Sequence, residues 1–293
     1  MRVRTAVCVI ALLLVAVVGN VDAAGAPRSG HIYWSNFADG TIGWANLDGT
    51  EVDQGFITGI TDSGYPTALA ADSKFIYWGT YDPGNHEVGT IGRATLDGRR
   101  VDRAFIIPDG AVAGVAVDSR YIYWSNQFAG TIGRARLNGR QVDQSFITGT
   151  STLFGVAVDD QHIYWVNGNS ETDSTIGRAN LDGTEVDQSF IEGSYLWAVA
   201  VNGQHIYWTD YEGYYGPPGA LSYLGRANFD RTGVDENLIT TPYDVADVAL
   251  TAGYIYWAVA DTGAIARANL DGTRVDEEFI IGGNSPWGMA VDG

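Results

Sequence analysis

The tripeptide Ile-Tyr-Trp occurs six times in phase, at positions 32–34, 76–78, 122–124, 163–165, 206–208 and 255–257, at intervals of 41 to 49 residues. A repeat of that length is the size of one four-stranded propeller blade. A lone blade leaves both sheet faces in water, so copies of this kind are stable only when stacked on one another. Six copies therefore predict an all-β chain, a six-bladed β-propeller with four antiparallel strands, A to D, in each blade.

The third repeat shows the unit most plainly. Val112 to Val117 is an apolar run, and Asp118-Ser119-Arg120 turns it into Tyr121 to Trp124; these are strands A and B. Strand C is Thr131 to Leu137, and Asn138-Gly139 leads into strand D, which ends at Phe146-Ile147. An Asx-Gly pair between such runs is a strong hairpin signal. It returns as Asp48-Gly49, Asp97-Gly98, Asp182-Gly183 and Asp271-Gly272. The fifth repeat has Asp230-Arg231, which predicts a looser turn. Hairpin register then sets Arg93, Arg134, Arg178, Arg226 and Arg267 opposite Asp102, Asp143, Asp187, Asp235 and Asp276, as cross-strand ion pairs worth about 0.2–1 kcal/mol each. The first repeat has Trp44 opposite Asp53 instead.

The first copy opens on a strand B at His31, and the last run, Pro286 to Asp292, is a strand A. The two are predicted to complete one blade, closing the ring and hiding its last open edge. The propeller domain then spans residues 31–293, after a short linker at 24–30. Residues 1–23 read as a secretory signal: Arg2 and Arg4, an apolar run from Ala6 to Val18, and Val21-Asp22-Ala23 at the cleavage site. That run is shorter than the ~20 residues needed to span a bilayer, so the expectation is a secreted chain with no membrane insertion after cleavage, with an uncleaved anchor as the alternative. Cys8, the only cysteine, lies in the signal.

These repeats resemble the YWTD, or class B, repeats of the low-density lipoprotein receptor family. Tyr-Trp-Thr-Asp stands intact at Tyr207 to Asp210, Arg-Ala-Asn-Leu-Asp-Gly at Arg178 to Gly183 and Arg267 to Gly272, and Gly-Val-Ala-Val-Asp at Gly114 to Asp118 and Gly155 to Asp159. The likeness covers residues 31 to 292. It implies a six-bladed propeller of the kind found in receptors and secreted binding proteins and, more distantly, in lactonases and lyases. The cysteine-rich modules that accompany the repeats in animal receptors are absent, as in a secreted bacterial-type member.

With 35 acidic against 17 basic residues and a formal charge of −18, the chain repels phosphate backbones, so nucleic acid is not an expected partner. In an antiparallel blade the B–C and D–A loops share one face, and the longest B–C loops belong to blades two, four and five. Loop variation confined to one face of a repeat array marks a binding surface. Its central mouth is predicted to be ringed by Tyr65, Phe154, Tyr195, Trp197, Tyr243 and Trp287, with Tyr81, Asp82, His86 and Glu87 added by blade two. Tyr211, Glu212, Tyr214, Tyr215, Pro217 and Pro218 come from blade five.

Strand A carries Ala68, Gly114, Gly155, Ala198 and Gly288 at the channel position, but Asp247 in blade six, with Asp244 nearby. Asp247 is a candidate ligand or cation contact, or else is paired with a backbone amide. Asn167, Asn169, Glu171 and Asp173 place oxygen ligands at every second residue, a pattern compatible with calcium. His31, His162 and His205 read as solvated turn residues on the opposite face. Gly-x-Ser-x-Gly, His-Glu-x-x-His and Gly-x-Gly-x-x-Gly do not occur. The reading favoured by the residues is a monomeric, non-catalytic binder of a protein, peptide or carbohydrate. The alternative is a propeller lyase or metal-dependent hydrolase using the same mouth.

Overall fold

Five of the six blades are built around an indole laid across a glycine. Trp34, Trp78, Trp124, Trp165 and Trp208 stand directly opposite Gly43, Gly92, Gly133, Gly177 and Gly225 on the neighbouring strand. A Cβ on any of those glycines would fall 2.1–2.4 Å from an indole carbon, so the missing side chain is what lets the ring lie flat on the sheet. Blade six differs, with Ala266 opposite Trp257. The six tryptophans and the isoleucines and tyrosines before them are at most 4% exposed, filling both faces of every blade.

The computed structural model describes residues 30–61, 64–85, 88–150, 152–168, 173–210 and 220–292; the signal and most of the linker read from the sequence lie outside them. Blade one consists of β24 (Pro286–Val291), β1 (His31–Asn36), β2 (Thr41–Asn46) and β3 (Asp53–Ile57), in that order from the centre outward. Blade two is β4 (Tyr65–Ala71), β5 (Phe75–Tyr81), β6 (Ile91–Thr95) and β7 (Asp102–Ile106). Blade three is β8 (Val112–Val117), β9 (Tyr121–Asn126), β10 (Thr131–Arg136) and β11 (Asp143–Ile147). Blade four is β12 (Thr152–Val158), β13 (His162–Gly168), β14 (Ser174–Asn180) and β15 (Asp187–Gly193). Blade five is β16 (Leu196–Val201), β17 (His205–Asp210), β18 (Ser222–Asn228) and β19 (Asp235–Thr241), and blade six is β20 (Val245–Leu250), β21 (Tyr254–Val259), β22 (Ala264–Asn269) and β23 (Asp276–Ile280). The ring closes as the sequence predicts, through β24.

The tyrosine hydroxyls tie strand B to the end of strand A. Those of Tyr77, Tyr123 and Tyr164 donate to Asp72, Asp118 and Asp159 at 3.0–3.1 Å. Burial, reinforced by these carboxylates, pushes all three phenols up. Blades five and six have Asn202 and Thr251 in place of the aspartate, and Tyr207 and Tyr256 donate instead to the carbonyls of Leu270 and Leu47 in the following blade, both at 3.3 Å.

Three local expectations are corrected. The arginines and aspartates do lie in the predicted register, for example Arg134 opposite Asp143, but they do not form the expected ion pairs. The guanidiniums of Arg93, Arg134, Arg178 and Arg267 sit 3.7–3.9 Å above the rings of Phe105, Phe146, Phe190 and Phe279. Arg93, Arg134 and Arg226 also donate to the carbonyls of Leu137, Leu181 and Leu270 in the next blade at 3.0–3.2 Å. A half-buried guanidinium gains more from a ring face and a carbonyl than from a solvated carboxylate. Asp143, for its part, accepts from the amide of Ser145.

The turn after Asp230 is not looser. Arg231 takes a φ of 68°, the left-handed conformation that Gly49 and its counterparts adopt elsewhere, and the turn keeps the same hydrogen bonds, Arg231 N to Asn228 O and Asn228 N to Thr232 O at 3.0 Å. Its side chain is held by Asp187 at 3.2 Å and by the face of Phe190. His31, His162 and His205 are half-buried packing residues rather than solvated ones. His31 lies edge-on to Trp44 with ring centroids 4.8 Å apart; the charged form of His205 is disfavoured by burial and by Arg226.

Candidate functional site

Every innermost strand breaks register with its neighbour at its mouth end, at Thr67, Ala113, Phe154, Trp197, Ala246 and Trp287. A bulge re-aims the side chain it carries. Here it turns these equivalent residues toward the axis, where all of them line one cavity of about 360 Å³. Hydroxyls from neighbouring strands brace the bulges. Ser125 Oγ donates to Phe154 O and Thr67 Oγ1 to Val112 O, while Ser35 Oγ accepts from Gly288 N, at 2.6–2.7 Å.

The cavity is a funnel of three layers. The bulge residues form its lip, and Ala68, Gly114, Gly155, Ala198 and Asp247 form a narrow second layer. Leu69, Val115, Val156, Val199, Val248 and Met289 close in below them. The second layer is small because consecutive inner strands touch there: a Cβ on Gly155 would come within 2.8 Å of Ala198 Cα, and one on Gly288 within 2.4 Å of Thr67 O.

The lip is lopsided. Blades four, five and one supply Phe154, Trp197 and Trp287, whereas blades two, three and six supply Thr67, Ala113 and Ala246. Phe154 stacks on Trp197 with centroids 4.3 Å apart, Trp197 meets Trp287 edge-on at 5.6 Å, Trp287 contacts Phe37 at 5.3 Å, and Phe37 stacks on Tyr65 at 5.0 Å. The five rings form a continuous aromatic arc. Across from it, Tyr81, Gln127 and Phe128 complete the lining, and Phe128 is 55% exposed.

Asp247 follows Ala246 one residue deeper on β20, the strand between the blades that supply Trp197 and Trp287 to the lip. Its Oδ1 accepts from Val248 N and its Oδ2 from Met289 N, both at 2.8 Å. The backbone pairing anticipated from the sequence is therefore present, and it spans two blades. Burial drives the carboxyl up from 3.8 to about 7, against the lowering influence of the two amides. Among the described residues that line the cavity it is the only Asp, Glu, Lys, Arg or His.

The structure brings together Trp197, Trp287 and Asp247, and links Tyr65 to them through Phe37. Tyr243 packs instead on the core between blades five and six. Tyr195, in a left-handed conformation with φ 53°, and Asp244, raised by burial and by Asp261, stand on the same face without lining the cavity. Tyr211, Glu212, Tyr214, Tyr215, Pro217, Pro218, His86, Glu87, Asn169 and Glu171 lie outside the described residues. Asn167 is buried and committed to Thr175 Oγ1 and Gln188 O. No group of three or more His, Cys, Asp or Glu side chains suited to a metal ion occurs among the described residues. Phe37, Tyr81 and Gln127 share one signal in the repeat, the third position after each tryptophan; only Tyr81 was singled out from the sequence, as a loop residue.

No protein-family model matches the chain, and no curated protein matches it. Among solved structures it is similar to a chain of the nidogen/laminin complex, with a TM-score of 0.71, 19% identity, and coverage of 89% of this chain and 98% of that one. It is similar also to virginiamycin B lyase from Staphylococcus aureus, with a TM-score of 0.56, 16% identity, and coverage of 89% and 85%. At these identities the likeness is one of fold, a six-bladed propeller, and that fold occurs in a protein–protein complex and in a lyase alike.

Proposed function

We propose that this chain is a secreted, monomeric, non-catalytic binding protein that holds a protein, peptide or carbohydrate ligand at the mouth of its propeller. The observation that carries the reading is the aromatic arc over the 360 Å³ cavity. Rigid rings on a closed scaffold bind with little loss of conformational freedom, and such rings dominate binding energies where they are found. The alternative, a propeller lyase or hydrolase, needs several convergent acid, base or metal-binding groups. Among its described residues the cavity lining supplies one carboxyl, whose two oxygens each accept an amide hydrogen bond.

The test is a glycan and peptide array probed with the chain lacking residues 1–23. Trp197→Ala is expected to weaken the selected ligand by more than tenfold, and Tyr214→Ala with Tyr215→Ala to do the same if the blade-five loop takes part. Lys74→Ala, on the opposite face, should leave binding unchanged; loss of binding in that variant alone would refute the assignment of the face. The amino terminus and mass of the exported chain check the secreted, monomeric form.

A further inference from the structure

The basic residues of the propeller are distributed unevenly between its two faces. The B–C segments, 37–40, 82–90, 127–130, 169–173, 211–221 and 260–263, contain no lysine or arginine, and neither do the D–A segments, 58–64, 107–111, 148–151, 194–195, 242–244 and 281–285. The same face presents Asp39, Asp82, Asp109, Asp173, Asp244 and Asp261. Lys74, Arg99, Arg100, Arg120, Arg140, Arg231 and Arg274 all fall in turns of the opposite face. The remaining described arginines come from within strands. Of these, Arg103 reaches the outer margin of the mouth face, where the carbonyls of Thr58 and Gly59 hold it at 2.7–2.8 Å.

Beneath that acidic face, the aromatic arc leads to the Asp247 carboxyl, with no basic side chain among the described residues of the surrounding lining. Asp247 is fixed by amides that each engage one oxygen, and a carboxylate oxygen has a second acceptor position. Ring faces and a desolvated carboxylate attract the same kind of guest, a positively charged nitrogen on an apolar stem.

Resting on the binding function proposed above, we infer that the ligand is a basic peptide segment, one lysine or arginine side chain of which passes between the rings of the arc and ends at Asp247. A neutral sugar would leave the carboxylate without a counter-charge, and an acidic peptide would meet like charge at the lip and again at the second layer. A peptide also suits the shape. The cavity takes one side chain, while the surrounding loops face the residues on either side of it. The net charge of −18 attracts such a segment, and the mouth face, whose loop segments carry acidic residues and no lysine or arginine, orients it.

The test is a set of peptide pools with randomised neutral flanks and a fixed central residue: lysine, arginine, norleucine, glutamine or glutamate. Lysine or arginine pools are expected to bind at least tenfold more tightly than norleucine, and Asp247→Asn to bring that ratio within twofold while norleucine binding persists. Equal binding of lysine and norleucine, or an undiminished preference in Asp247→Asn, overturns the inference. If Asp247→Asn does not fold, tryptophan fluorescence of the unaltered protein is titrated with n-butylammonium chloride and with 1-pentanol at matched ionic strength. Saturation by the ammonium alone supports the inference, and equal responses overturn it. Butylammonium binding as tightly as the lysine pool overturns the peptide as the source of the cation. Binding that depends on Trp197 but shows no cation preference fails this inference only, whereas binding to every pool that Trp197→Ala leaves untouched fails the proposed site itself.

Discussion

The hydroxyl of Tyr33 donates to Asp292 Oδ2 over 3.0 Å, joining residues 259 positions apart in the chain. The other oxygen of Asp292 accepts from the amide of His31, and His31 Nδ1 stands 3.2 Å away. In blades two to four the equivalent tyrosine bond is local, between residues five apart. In blade one the same chemistry has become the clasp between β1 and β24.

Ending the chain after Asn284 should therefore remove a whole inner strand and produce aggregation or a sharp fall in melting temperature. Asp292→Ala is expected to lower the midpoint by several degrees, since it removes the acceptor shared by the buried Tyr33 phenol and the His31 amide. An unchanged melt in the truncated chain would refute closure through β24.

Gly133→Ala should destabilise the protein by about 1–3 kcal/mol, the usual effect of forcing atoms into a packed core, because its Cβ would lie 2.2 Å from Trp124 Cε2. Denaturant unfolding measures this directly. Ala266→Gly, in the blade that already tolerates a methyl group, should change stability by less than Gly133→Ala.

Arg134→Lys is expected to weaken the molecule by about 1 kcal/mol although charge is kept. A lysine cannot both stack flat on Phe146, 3.7 Å away, and donate to Leu181 O at 3.0 Å. Asp143→Asn should leave the melting midpoint nearly unchanged, since the carboxylate is not the arginine's partner.

Asp247 makes stability depend on pH in the direction opposite to a salt-bridged carboxylate. Its folded value of about 7 lies above the ordinary 3.8, so between these values the folded chain holds a proton that the unfolded chain has released. Stability from this group is greatest at low pH and is lost as pH rises from about 4 through 7. Asp247→Asn removes the dependence. The difference in melting temperature, variant minus parent, should grow from pH 4 to pH 8. A constant difference would show that the carboxyl titrates normally.

The repeat made the fold legible, because Ile-Tyr-Trp, the Asx-Gly turns and the strand order each follow from local rules applied in phase. Even the register of Arg134 against Asp143 could be counted from the turn. What could not be counted was where the guanidinium points, because its partners belong to the same blade's outer strand and to the next blade. The site divides in the same way. Trp197 and Trp287 were visible as aromatic residues entering strand A, and Asp247 as the departure from a column of glycine and alanine. Phe37 and Phe128 were not, since their place on the cavity depends on loops folding back over the lip. Tyr243 looked equivalent to Trp287 in sequence, yet it precedes the bulge and turns to the core.

A linear stack of repeats has two end units, each with a single neighbour, and it frays from them. In this ring even the blade assembled from both chain ends is flanked on either side, with β24 packed between β20 and β4. No blade is peripheral, so there is no weakest end from which partial unravelling can begin. Amide hydrogens on the six strands that carry Ile-Tyr-Trp should then exchange on one shared timescale, that of the whole molecule opening at once.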